Sequence, residues 1–146
     1  YNNATPGAIN DFLDLHRASA GASSVQLVTD RNGTYGTYLF AAETVATIEE
    51  HRASPRGTPA FFYLALQTVH APVQSPGGAF DARCSATPNA VRRTFCAMAA
   101  IADEAIGNVS AALVAAFPDE PTLVAILGDN GGLPNNGGNN YPLRGT

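Results

Sequence analysis

A chain of 146 residues, 45% hydrophobic and 14% charged, is long enough for one folded domain and too apolar for a disordered segment. Its formal net charge is −4 and it holds no basic run, which argues against nucleic acid or an anionic membrane surface as the main partner. Every cation other than histidine is arginine; lysine is absent.

Residues 1–36 are polar and turn-rich, with "NNATPG" and "DRNGTYG" as loop chemistry and Val25 to Val28 as a candidate edge strand. Residues 37–51, "TYLFAAETVATIEEH", read as an amphipathic helix. Phe40, Ala41, Thr44, Val45 and Ile48 share one face, and Glu43, Glu49 and Glu50 face solvent. "RASPRGTP" ends it. Residues 60–69, "AFFYLALQTV", form a short apolar run of the kind found in a strand covered on both faces. "SPGGAF" reads as loop. Residues 88–117 are the longest helix, with Thr87 as N-cap, Pro88 at the first turn and a stripe of Val91, Phe95, Met98, Ala102, Ala105, Val109 and Leu113. Pro118 stops it, and "PTLVAILG" (121–128) is a second buried-type strand. Strand, helix, strand is a βαβ unit, so the expected class is α/β with a parallel sheet. No apolar run of transmembrane length and no signal peptide is evident in the sequence.

Three sequons occur, at Asn3, Asn32 and Asn108; Pro6 after Thr5 weakens the first. They tilt the reading toward a secretory route. Cys84 and Cys96 are either free thiols or a local disulfide, and the sequence leaves both open. No further Cys or His at ligand spacing makes them a metal site.

Ligands of open α/β sheets bind beyond the carboxyl ends of the strands. His70 follows the first strand and Asp129-Asn130 the second, so parallel strands would bring all three to one rim. A carboxylate and an amide oxygen are hard ligands suited to Ca²⁺ or Mg²⁺. A histidine beside a bound anion can donate a hydrogen bond or a proton. Each also has an ordinary reading: Asp-Asn-Gly-Gly as a turn, His70 as a strand-end residue bonding the backbone. Asp103-Glu104 reads as a solvated helix face, since adjacent helical residues point about 100° apart. His16 and His51 sit in polar surroundings and carry no assignment; Arg144 reads as a brace for the loop.

"FFYLALQTVHAPVQSP", "DEAIGNVSAAL" and "GDNGGLPNNGGNNYPLRG" follow one another in an order that resembles the middle of a type I sulfatase, nearest the arylsulfatase B group. "NGTYGTYLFAAETVATIEEH" resembles the helix before them. The resemblance covers roughly residues 32–146 and is looser before that. It implies an alkaline-phosphatase-like α/β fold with a mostly parallel central sheet flanked by helices. It also implies a Ca²⁺ ion for which Asp129 and Asn130 are two ligands, and a sulfate contact from His70. The implied nucleophile is a formylglycine made from Cys in a C-x-P-x-R motif.

Neither Cys84 nor Cys96 stands in such a motif, and the paired aspartates and lysines of the sulfatase pocket are absent. Tyr1 and Thr146 do not read as natural boundaries. The expectation is that residues 1–146 are part of a sulfatase catalytic domain, an internal fragment without the nucleophile region or the C-terminal part, and inactive alone. Its parent would be a secreted or lysosomal sulfuric ester hydrolase acting on sulfate esters, sulfated glycans among the candidates. The alternatives are a phosphodiesterase of the same superfamily, which would favour Asp-His over Asp-Asn, and a non-catalytic binding or structural protein.

Overall fold

The computed structural model describes residues 15–19, 21, 23–55 and 58–143. Two features singled out in the sequence, the Asn3 sequon and Arg144, lie outside them. A short antiparallel ribbon opens the described chain: β1 (His16–Arg17) pairs with β2 (Gln26–Leu27). It falls where an edge strand was expected. Three helices follow: α1 (Gly36–Arg52), α2 (Ala79–Arg83) and α3 (Ala90–Ala116), and then a 3-10 turn at Pro134–Asn136.

α1 matches its periodicity. Gly33, with φ +83°, turns the chain just ahead of it. The Thr44 and Thr47 hydroxyls donate to the carbonyls of Phe40 and Glu43 at 2.7 and 2.8 Å, so neither is left unpaired mid-helix. His51 and Arg52 occupy the last turn, where cations complement the helix dipole. Glu43 is half-buried rather than free in solvent. Arg17 donates to it and Arg31 lies 3.8 Å away, so one carboxylate ties the N-terminal ribbon and turn to α1.

α3 starts two residues later than expected. Asn89, not Thr87, is the N-cap: its side-chain oxygen accepts from the Arg92 N–H at 3.0 Å. That geometry satisfies one of the helix's orphan donors, and Asn serves it better than Thr. The Arg93 guanidinium then occupies the Thr87 and Pro88 carbonyls at 3.0 and 3.3 Å. Ala97, Met98, Ile101 and Ala105 form the buried stripe of α3, and it packs on Ala41 and Ile48 of α1. Small alanines let the helices approach. Ile48, Met98 and Ile101 are the largest fully buried side chains, each contributing about 1.5–3 kcal/mol by burial. Val91, expected in the stripe, is exposed. Tyr38 of α1 has its phenol pKa raised by partial burial and then by the Glu104 and Asp81 carboxylates.

By length and composition α3 could cross a membrane. Asp103 and Glu104 sit exposed in its middle, where charge is costly in lipid, and α1 covers its apolar stripe.

The expected parallel sheet is not formed among the described residues. Residues 60–67 run without a hydrogen-bonded ladder, and so do residues 121–128. Parallel strands draw their hydrogen bonds only from adjacent strands, and these two segments do not pair with each other. Apolar periodicity reports which faces are covered, not which strand lies alongside. Side chains still alternate along residues 61–67. Phe62, Leu64 and Leu66 are half-buried, while Phe61 and Tyr63 are 89% and 84% exposed. The second segment is bare on both faces, with Leu123 and Leu127 at 93% and 87% exposure.

Cys84 and Cys96 form a disulfide, with Cα atoms 6.0 Å apart and a sequence separation of 12. It joins the end of α2 to the second turn of α3. Closing so short a loop stabilises by about 2–3 kcal/mol in the chain-entropy view. Replacing both cysteines by alanine is expected to lower unfolding free energy by about that amount, read from urea titration, with reductant then having no further effect.

Candidate functional site

One turn of α3 supports the chain around both predicted half-sites. On the first side, the Thr68 hydroxyl makes a long 3.4 Å contact to the Met98 carbonyl. Two residues on, the His70 N–H donates to the Gln67 carbonyl at 2.9 Å, turning the chain so that His70 is exposed. Its Nδ1 lies 2.7 Å from the Ala71 carbonyl. A carbonyl only accepts, so Nδ1 carries a proton and Nε2 is the nitrogen left to face a ligand. The following loop is held from three sides. Tyr35 donates to the Gln74 carbonyl at 3.2 Å, Ser75 donates to Asp81 at 2.6 Å, and the disulfide fixes the far end to α3.

On the second side, Asp129 and Asn130 end the bare apolar segment, both exposed. Asp129 Oδ1 accepts its neighbour's N–H at 2.8 Å, and Asn130 Nδ2 donates to the Gly131 carbonyl at 2.8 Å. These local bonds leave Asp129 Oδ2 and Asn130 Oδ1 without a hydrogen bond among the described residues. The two free atoms are a carboxylate and an amide oxygen, the donor chemistry that suits Ca²⁺.

The Gly/Asn-rich stretch after them is a self-bonded loop rather than a loose tail. Asn140 bridges back to Gly132 twice: its Oδ1 accepts the Gly132 N–H at 2.7 Å and its Nδ2 donates to the Gly132 carbonyl at 2.9 Å. Leu133 O accepts from both Asn136 and Gly138. Gly132 and Gly138 pass at contact distance: a Cβ on Gly138 would lie 2.6 Å from the Gly132 carbonyl carbon. Gly137, buried with φ +94°, seats the loop on α3, where a Cβ would lie 3.2 Å from Phe95 Cβ.

Asp129 and Asn130 are thus adjacent and presented together. Among the described residues no hydrogen bond or ion pair joins them to His70, and no group of three or more His, Cys, Asp or Glu side chains converges on a metal-sized site. A groove of about 470 Å³ lies elsewhere, between α1 and residues 61–65, and contains none of the three. Asn32 is exposed in the turn before α1, and Asn108 is exposed on α3. His51, read from sequence as polar-surrounded, is half-buried between Phe62 and Phe117, with ring centroids 6.1 and 5.9 Å away. It donates from Nε2 to the Thr58 carbonyl at 3.0 Å. The Asn140 bridge was not read from sequence. Its signal was the two Gly-Gly pairs flanking "LPNN", a spacing that fits two backbones in close approach.

Comparison with known proteins supplies the class. The sulfatase family model matches residues 3–146, and the chain belongs to the sulfatase family. Arylsulfatase J of Mus musculus is 37% identical over 115 residues, covering 79% of this chain and 19% of the relative. The chain therefore spans about a fifth of that curated protein's length. No solved structure matches it significantly. The family implies an α/β fold; the described residues are mostly helical, with a two-stranded ribbon and two unpaired apolar segments.

The glycine contacts make a signed prediction. Gly138→Ala is expected to cost about 1–3 kcal/mol, because backbone must move. Gly107→Ala, on an exposed part of α3 with nothing within 4 Å of the new Cβ, is expected to stabilise by about 0.5–1 kcal/mol. Thermal unfolding of the two variants reads both signs.

Proposed function

We propose that this chain is part of the catalytic domain of a sulfuric ester hydrolase, to which it contributes two Ca²⁺ ligands, Asp129 and Asn130, and one sulfate contact, His70. The observation that carries the reading is the pair of free oxygens at Asp129 and Asn130 in a chain of the sulfatase family. Bound there, Ca²⁺ would neutralise negative charge on the sulfate oxygens. Asp129 supplies charge to the ion, and Asn130 a neutral oxygen that limits the site's total negative charge. His70 contacts the ester through Nε2, and it donates to a sulfate oxygen only when that nitrogen also carries a proton.

The nucleophile on this reading is a formylglycine outside this chain, since both cysteines here are committed to a disulfide. The substrate is a sulfate ester, with sulfated glycans as the candidate class. The disulfide and the exposed sequons at Asn32 and Asn108 support a secretory route, lysosomal or secreted.

In the full-length protein carrying this segment, Asp129→Ala is expected to abolish measurable Ca²⁺ binding together with aryl sulfatase activity. His70→Ala is expected to lower kcat/KM by about 10²-fold while leaving Ca²⁺ affinity unchanged. Retention of Ca²⁺ affinity in Asp129→Ala would remove the metal assignment.

A further inference from the structure

We infer that Asn140 is a positioning residue for the Asp129-Asn130 half-site, an inference that rests on the metal reading just given. Asn140 stands ten residues beyond Asn130, yet its amide lies against the backbone that leaves the pair. It holds Gly132 from both sides, accepting from the N–H and donating to the carbonyl. A side-chain amide used in this way replaces a pair of strand-ladder bonds, in a stretch where no neighbouring strand provides them.

The clamp closes a ring from Gly132 to Asn140, and the ring is filled. Gly138 touches Gly132 backbone to backbone, and Gly137 rests on Phe95 and Arg92 of α3. Gly131 belongs to the same contact, because a Cβ there would lie 3.0 Å from Asn140 Oδ1. The Asn130 side chain is in turn oriented by donating to the Gly131 carbonyl. Asn140 therefore fixes the peptide units that set the direction of Asn130 Oδ1, and through the chain that of Asp129 Oδ2. Without the clamp the two oxygens still exist but sample many orientations, and a cation must order them as it binds. Outer residues that orient metal ligands typically change affinity by about 10–100-fold when removed.

Calorimetric Ca²⁺ titration of the full-length protein tests this, with melting in chelator measured alongside. Asn140→Ala removes both bonds; Gly131→Ala presses on the same amide oxygen while Asn140 stays in place. Both are expected to weaken Ca²⁺ binding about 10-fold, with the folded baseline retained in chelator. Gly107→Ala serves as the control and is expected to leave affinity unchanged. If Asn140→Ala does not fold, Gly131→Ala carries the same test. Unchanged Ca²⁺ affinity in the clamp variants, with Asp129→Ala abolishing binding, would overturn the positioning role and leave the metal ligands standing. Unchanged affinity in Asp129→Ala would overturn both.

Discussion

The structure depends on the turn of α3 from Phe95 to Met98. Its inner side is core: Ala97 and Met98 are sealed against α1. The same turn carries Cys96, which holds the end of α2, the Met98 carbonyl, which meets Thr68, and Phe95, which seats Gly137. Three segments distant in sequence are thereby tied to about one turn of helix. The interior of a helix is the stiffest support this chain has, because each residue there is fixed by backbone bonds and by packing together.

That support explains how short, polar loops keep their shape without a sheet beneath them. The apolar run 121–128 leads to Asp129 with every residue exposed, so the segment itself fixes little. Order returns only after the pair, where glycines let two backbones touch and Asn140 closes the ring. The Asp-Asn pair is held from its C-terminal side. On the other side, His70 follows a segment half-covered by the helices and a loop pinned by Tyr35, Asp81 and the disulfide. Phe61, Tyr63, Leu123 and Leu127 remain exposed along the two apolar segments, which no neighbouring strand covers among the described residues.

The helices were legible because their information is local. The apolar spacing of 37–51 gave α1 to within a residue at each end, and Pro118 correctly limited α3. The N-cap was misplaced by two residues because Thr87 and Asn89 are both good caps, and only the packed structure decides between them. Cys84 and Cys96 left pairing open, since spacing does not report Cα separation. The parallel sheet was not legible in the strict sense: buried-type composition states that both faces of a segment are covered in some context, and the neighbour that covers them is non-local. That Asp129 and Asn130 end an apolar run, which makes them candidate ligands, was readable in the sequence. Their support was not, because the Gly132–Asn140 bridge depends on a turn geometry that glycine permits but does not specify.

Through Phe95, α3 rigidifies the loop after Asp129-Asn130. Amide hydrogen exchange of Phe95→Ala against the unmodified protein tests it directly. Faster exchange is expected at Gly132 and Gly138, whose N–H groups close the loop, with the amides of α1 changing far less. Unchanged protection at Gly132 and Gly138 would show that the loop holds itself and that the helix is not its support.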